Sequence, residues 1–91
     1  MNQRIELTAK GIVQGVGFRF SVRSYASKMG LKGFVRNLPN RNVEIIAEGK
    51  KEALKKLIEF VRKGGHYARI EQVEEKWFNA KNEFSSFDIE Y

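Results

Sequence analysis

The chain has 91 residues, no cysteine and a formal net charge of +6. That length fills one hydrophobic core and not two, and the missing cysteines exclude disulfides, thiolate catalysis and a cysteine-held zinc together. Apolar residues at 42% and aromatics at 12% support a packed core and set disorder aside.

No basic-then-apolar leader is visible, nor any run near the roughly 20 apolar residues of a membrane span. The expectation is a single domain over residues 1–91, monomeric, cytoplasmic and off the membrane. The positive charge favours an anionic partner, either a nucleic acid or a phosphorylated metabolite. Ten Lys and ten Glu against one Asp lean towards the balance reported for heat-tolerant proteins.

In chain order, Ile5 to Ala9 alternate apolar with polar and continue to Val13, which predicts a first strand. A glycine-containing loop, Gln14-Gly15-Val16-Gly17-Phe18-Arg19, follows. Val22, Tyr25, Ala26 and Met29 then fall at i, i+3, i+4 and i+7, the apolar face of a helix that Gly30 stops. Phe34 to Leu38 reads as a second strand, ended by a turn at Pro39-Asn40-Arg41-Asn42. Val43, Ile45 and Ala47 alternate with Glu44 and Glu48, so the second and third strands form a hairpin.

Leu54, Leu57, Ile58 and Val61 repeat the helical spacing up to Gly64-Gly65. Glu52 with Lys56, and Glu59 with Lys63, add i,i+4 charge pairs in the better orientation. Ile70 to Phe78 predicts a fourth strand whose imperfect alternation suggests a bulge. Phe87, Ile89 and Tyr91 alternate in a short fifth strand. The order is βαββαβ plus a short C-terminal strand. Two helices apolar on one side should cover one face of a mainly antiparallel sheet, the α+β, ferredoxin-like arrangement.

The loop from Gln14 to Arg19 joins the first strand to the first helix. Two glycines let consecutive N–H groups turn into one hollow at the positive end of a helix dipole, beside a guanidinium. Those are the parts of a small anion site. The same residues also suit an ordinary tight turn with Arg19 as a solvated charge, and the spacing alone does not choose between the two. It is not a Walker loop, since Gly-Lys-Ser/Thr is absent, nor a dinucleotide fingerprint, since Phe20 stands where the third glycine belongs. Asn37, near the end of the second strand, offers a donor and an acceptor that can hold a water or cap the turn before Pro39.

Gly11-Ile12-Val13-Gln14-Gly15-Val16-Gly17-Phe18-Arg19, with Gly33-Phe34-Val35-Arg36-Asn37-Leu38-Pro39 and Val43-Glu44, closely resembles the acylphosphatase family. The likeness runs nearly end to end and takes in Ala47-Glu48-Gly49 and the terminal Phe87 to Tyr91. It implies a ferredoxin-like fold and hydrolysis of a carboxyl-phosphate anhydride to carboxylate and inorganic phosphate, which is also the expected competitive inhibitor. By this resemblance Gln14, Gly15, Val16, Gly17, Phe18 and Arg19 hold the phosphoryl group, and Asn37 orients the attacking water. No metal, cofactor, nucleotide or covalent intermediate is implied.

Three positions depart from the family pattern. Gly65-His66 replaces a Gly-Pro pair, Asn40-Arg41-Asn42 replaces a glycine-containing turn, and Phe34 stands where Trp is frequent. None touches a named catalytic group. The sole histidine, His66, reads as a surface-loop residue. The alternative is a basic ferredoxin-like module that binds RNA or another anion without catalysis. RNA-binding domains of this topology carry paired aromatics on their central strands, and the first and third strands here have none.

Overall fold

The first strand, β1 (Gln3–Ile12), is the axis of the molecule, because it lies inside a five-stranded sheet ordered β4-β1-β3-β2-β5. The computed structural model describes residues 2–91. Around β1 are α1 (Phe18–Lys28), β2 (Lys32–Asn37), β3 (Val43–Gly49), α2 (Lys51–Arg62), β4 (Arg69–Asn79) and β5 (Phe87–Glu90). Every strand pairing is antiparallel except β2 with β5. Helices on one face of a mainly antiparallel sheet make the fold ferredoxin-like, as the element order predicts.

Alternation decides which side of each strand is buried. Ile5, Leu7 and Ala9 of β1, Val43, Ile45 and Ala47 of β3 and Val35 of β2 are each 1% exposed or less. They meet Val22 and Ala26 of α1 and Leu54, Leu57, Ile58 and Val61 of α2, the residues whose spacing predicted the helices. Both helices end in the same hydrogen-bonded closure. Leu31 N–H donates to the Ala26 carbonyl at 2.9 Å, and Gly65 N–H donates to the Phe60 carbonyl at 3.0 Å. Each bond satisfies a carbonyl that the helix end leaves unpaired.

Two details differ from the sequence pattern, and a third, the expected bulge in β4, is located by the pairing. Strand β2 stops at Asn37, because Leu38 N–H donates to the Asn42 carbonyl and enters the turn. The bulge falls at Glu71: Lys10 pairs with Gln72 and Gly11 with Ile70, leaving Glu71 unopposed. A β-carbon on Gly11 would collide with the Arg69 carbonyl, so glycine is what lets β4 press in there. Among the described ion pairs of α2, neither Glu52–Lys56 nor Glu59–Lys63 appears. The helix is instead tied to β4 by Arg62 Nη2 and Glu75 Oε1 at 2.7 Å. Exposed lysines gain too little from such pairs to give up their rotamer freedom.

Opposite the helices the sheet carries a polar network. Arg4, 7% exposed, donates to Glu6, Glu48 and Glu83, at 3.0, 3.1 and 2.6 Å. Glu48, 5% exposed, also accepts the N–H groups of Lys81 and Asn82, at 2.8 and 2.9 Å. Burial alone would raise the Glu48 pKa, but those two N–H groups and the Arg4 guanidinium outweigh it and hold the carboxyl below its ordinary value. Nothing in the alternation of β3 marks Glu48 as buried. It is buried because the segment between β4 and β5 folds back over it.

Candidate active site

Strand β1 ends at Ile12, and the chain must reverse before α1 can lie back across the sheet. It does so through Gly15 and Gly17, both at φ +75°. No protein atom lies within 4 Å of a β-carbon built on Gly15, and on Gly17 only the Tyr67 ring, at 3.6 Å, does. Backbone direction therefore demands glycine here, and crowding does not.

Gly17 is the N-cap of α1 and supplies no side-chain cap, and the first turn of the helix holds no acidic residue. The opening N–H groups of α1 thus keep their donor capacity and the positive end of the dipole. Arg19 sits in that first turn, half-buried. Its guanidinium carbon lies 5.0 Å from the centroid of the Tyr91 ring, while no carboxylate among the described residues pairs with it.

The sheet register brings Asn37 to the same end. Ala9 pairs with Val43 and Val43 with Asn37, so the three form one row across β1, β3 and β2. Directly paired residues share a face. Ala9 and Val43 are fully buried beneath the helices, so Asn37 belongs to the helix side, at the edge where α1 begins. Its Oδ1 is buried and has no hydrogen-bond partner. A buried acceptor left free is costly, so this is the polar atom whose placement most asks for a functional reason.

Gln14 joins the two halves of the site. Its Nε2 donates to the carbonyls of Leu38 and Asn42, at 2.9 and 2.8 Å. Those residues flank the Asn37–Val43 pair, so one carboxamide fixes the loop against the hairpin that carries Asn37. Within the predicted Gln14–Arg19 cradle, then, Gln14 acts as a brace through its side chain. Gly15 and Gly17 shape the backbone, half-buried Val16 packs against the core, and Phe18, 1% exposed, anchors the helix start in it. Arg19 alone brings a charged side chain.

A broad cleft lies elsewhere. It holds about 510 Å³ between Gln3, Lys51, Lys55, Ile58, Glu75 and Trp77. Gln3 and the loop stand at opposite ends of β1, roughly 30 Å apart along an extended strand. The Glu75 carboxylate in that cleft is already satisfied by Arg62 and Trp77. Lys51 and Lys55 leave donors in that cleft, but it holds no glycine turn and no buried polar atom without a partner.

The Acylphosphatase family profile matches residues 5–89. The chain belongs to the acylphosphatase family. An acylphosphatase of Caldanaerobacter subterraneus subsp. tengcongensis is 40% identical over 89 residues, covering 98% of this chain and 99% of that protein. One from Pyrobaculum calidifontis is 46% identical over 87 residues, covering 94% and 79%. The crystal structure of the acylphosphatase from Bacillus subtilis superposes with a TM-score of 0.93 at 32% identity, covering 98% and 99% of the two chains. This membership agrees with the resemblance read from the Gln14–Arg19 and Gly33–Pro39 segments.

Two residues near the site escape sequence reasoning. Tyr91 reaches Arg19 because β5 runs parallel to β2, with Glu90 beside Arg36, so the chain end arrives next to Asn37. Tyr67 reaches Gly17 because the loop after α2 folds over the loop after β1. No spacing in the sequence signals either approach.

Proposed function

We propose that this protein hydrolyses acyl phosphates, with the phosphoryl group held by the Gln14–Arg19 loop and a water held by Asn37. The observation that carries this reading is the pairing of two unspent groups at one sheet edge. Among the described residues, a half-buried guanidinium has no carboxylate and a buried carboxamide oxygen has no partner. Arg19 and the N–H groups opening α1 suit the equatorial oxygens of a transferring phosphoryl group. Asn37 Oδ1 suits a water hydrogen and thereby aims the water oxygen at phosphorus.

The water oxygen bonds to phosphorus as the bond from phosphorus to the acyl oxygen breaks. The carboxylate leaves with the bond's electron pair, and a phosphate oxygen takes the water's proton. A carboxylate is a good leaving group, so no general acid is needed. Catalysis then consists of positioning and charge stabilisation. We read residues 1–91 as one acting unit, a monomer working in the cytoplasm on a small-molecule substrate.

The rival reading, an RNA-binding module, lacks a platform. On the face away from the helices, β1 carries Arg4, Glu6, Thr8 and Lys10, and β3 carries Glu44, Ile46 and Glu48. Neither strand carries an aromatic ring on which a base could stack. Among the described residues, no helix is long and apolar enough to cross a membrane.

The deciding assay is phosphate release from a simple acyl phosphate, with chelator present and inorganic phosphate as competitor. Chelator-resistant, phosphate-inhibited hydrolysis is expected. Salt-dependent RNA binding without any hydrolysis would overturn the reading.

A further inference from the structure

A seam runs between α2 and β4, an edge strand of the sheet. Lys51, Lys55, Ile58 and Arg62 follow one another at i, i+4, i+7 and i+11, a single stripe of α2. Opposite them, Trp77, Glu75 and Val73 of β4 pair with the buried Ile5, Leu7 and Ala9 of β1, so they turn to the helix side. Arg62 closes the seam at one end, where its Nη2 donates to Glu75 Oε1 at 2.7 Å. Beyond that bond the seam opens into the cleft of about 510 Å³, with Trp77, Ile58, Lys51, Lys55 and Gln3 in its lining. That volume lies within the roughly 300–1,000 Å³ of small-molecule pockets.

The lining combines three kinds of chemistry. Half-buried Trp77 and buried Ile58 supply an apolar wall. Trp77 Nε1 donates to Glu75 Oε2 at 2.9 Å, which orients the indole before any ligand arrives. Both Glu75 oxygens are thereby taken, and Arg62 offsets the charge of that carboxylate. Lys51 and Lys55, one helical turn apart, pair with no carboxylate among the described residues. Gln3 adds a carboxamide that can both donate and accept. An oriented ring, an amide and two cations in one cleft fit a flat heterocycle that carries an anionic group.

We propose that this cleft is a second binding site and that it takes a nucleoside monophosphate. The base stacks on Trp77 with Gln3 at its edge, and Lys51 and Lys55 hold the phosphate. Neither half of the ligand suffices. A phosphate alone meets two exposed lysines in water, where a charge contact is weak, and a base alone leaves both lysines unused. The cleft and the Gln14–Arg19 loop lie at opposite ends of β1, roughly 30 Å apart along the strand. The site is therefore separate from the one that carries the acyl phosphate reading and does not rest on it.

Trp77 is the sole tryptophan, so its emission reports on this cleft. Titration with AMP should quench it saturably. Ribose 5-phosphate, which lacks the base, should bind about 5–100-fold more weakly. Lys51→Ala combined with Lys55→Ala should weaken AMP about 10-fold and bring its affinity near that of adenosine. Acyl phosphate turnover should be unchanged in that variant, since neither lysine belongs to the loop. Arg19→Ala should bind AMP as the wild type does. An absence of saturable quenching at millimolar AMP overturns the proposal. So does equal binding of ribose 5-phosphate, or full AMP affinity in the double lysine variant. Loss of AMP binding in Arg19→Ala would put the nucleotide in the loop and overturn it as well.

Discussion

Arg4 and Arg19 stand near opposite ends of β1, in opposite surroundings. Arg4 is shared among Glu6, Glu48 and Glu83, and Glu48 is in turn completed by two backbone N–H groups. Among the described residues Arg19 has no carboxylate partner, and it rests on the face of Tyr91. Near it Asn37 Oδ1 is buried without a partner, and the first turn of α1 carries no acidic side chain. Polar groups that complete one another hold the fold together, whereas polar groups held apart and incomplete are ready for a ligand. On the function proposed above, the Arg4 end is structural and the Arg19 end carries the chemistry.

Substitutions at the two ends should therefore fail differently. The largest effect is expected for Arg19→Ala. It removes the only charged side chain of the cradle, so acyl phosphate turnover should fall roughly 10³-fold or more and inhibition by inorganic phosphate should disappear. The thermal midpoint should move little, since Arg19 makes no ion pair among the described residues. Near-wild-type turnover by this variant would break the contrast at its functional end.

Asn37→Ala should come next, with kcat down roughly 10²-fold while phosphate inhibition persists. Because Oδ1 has no protein partner, the variant should be at least as stable as the wild type in urea. Loss of phosphate affinity with turnover intact would show that Asn37 binds the anion and does not hold water.

At the other end, Glu48→Gln should cost stability and spare activity. Breaking one partner of a buried pair costs about 3–5 kcal/mol, and Arg4 keeps Glu6 and Glu83, which points to about 3 kcal/mol in urea titrations. The pH dependence follows from the depressed Glu48 pKa. Between that value and the ordinary 4.5, the unfolded chain binds more protons, so stability rises with pH. The contribution of Glu48 is fully present above 4.5 and is lost as pH falls through its folded value. Acid unfolding of Glu48→Gln should lack that component, and an identical acid profile in both proteins would show that the buried carboxylate does not drive it.

Gln14→Ala should give the smallest effect and blur the division. It removes two hydrogen bonds between the loop and the hairpin, about 1–2 kcal/mol of stability. It should also lower kcat several-fold, because the loop and Asn37 are no longer held in register. A variant that loses stability but keeps full kcat would make Gln14 a purely structural brace.

Much of this molecule was legible in its residues. Period-2 runs located the strands, i, i+3, i+4, i+7 runs located both helices, and glycines marked the ends of those helices. These patterns are local consequences of backbone geometry, so they can be read without the fold. Gln14-Gly15-Val16-Gly17-Phe18-Arg19 could be read as an anion loop for the same reason, since a glycine turn, a helix start and an arginine are neighbours in sequence.

What the tertiary structure alone decided depends on residues distant in the chain. Asn37 could equally have capped its own turn. Only the Ala9–Val43–Asn37 row and the bonds from Gln14 to Leu38 and Asn42 bring it beside the loop. Glu48 sat on the polar side of an alternating strand, and only the returning segment at Lys81 and Asn82 buried it. Tyr67 and Tyr91 reached the site through a loop laid across another loop and a strand added parallel to β2. Sequence patterning fixes which face of an element is apolar, because that follows from each residue's own backbone. It does not fix which polar groups meet across the fold, because that depends on how the elements close on one another.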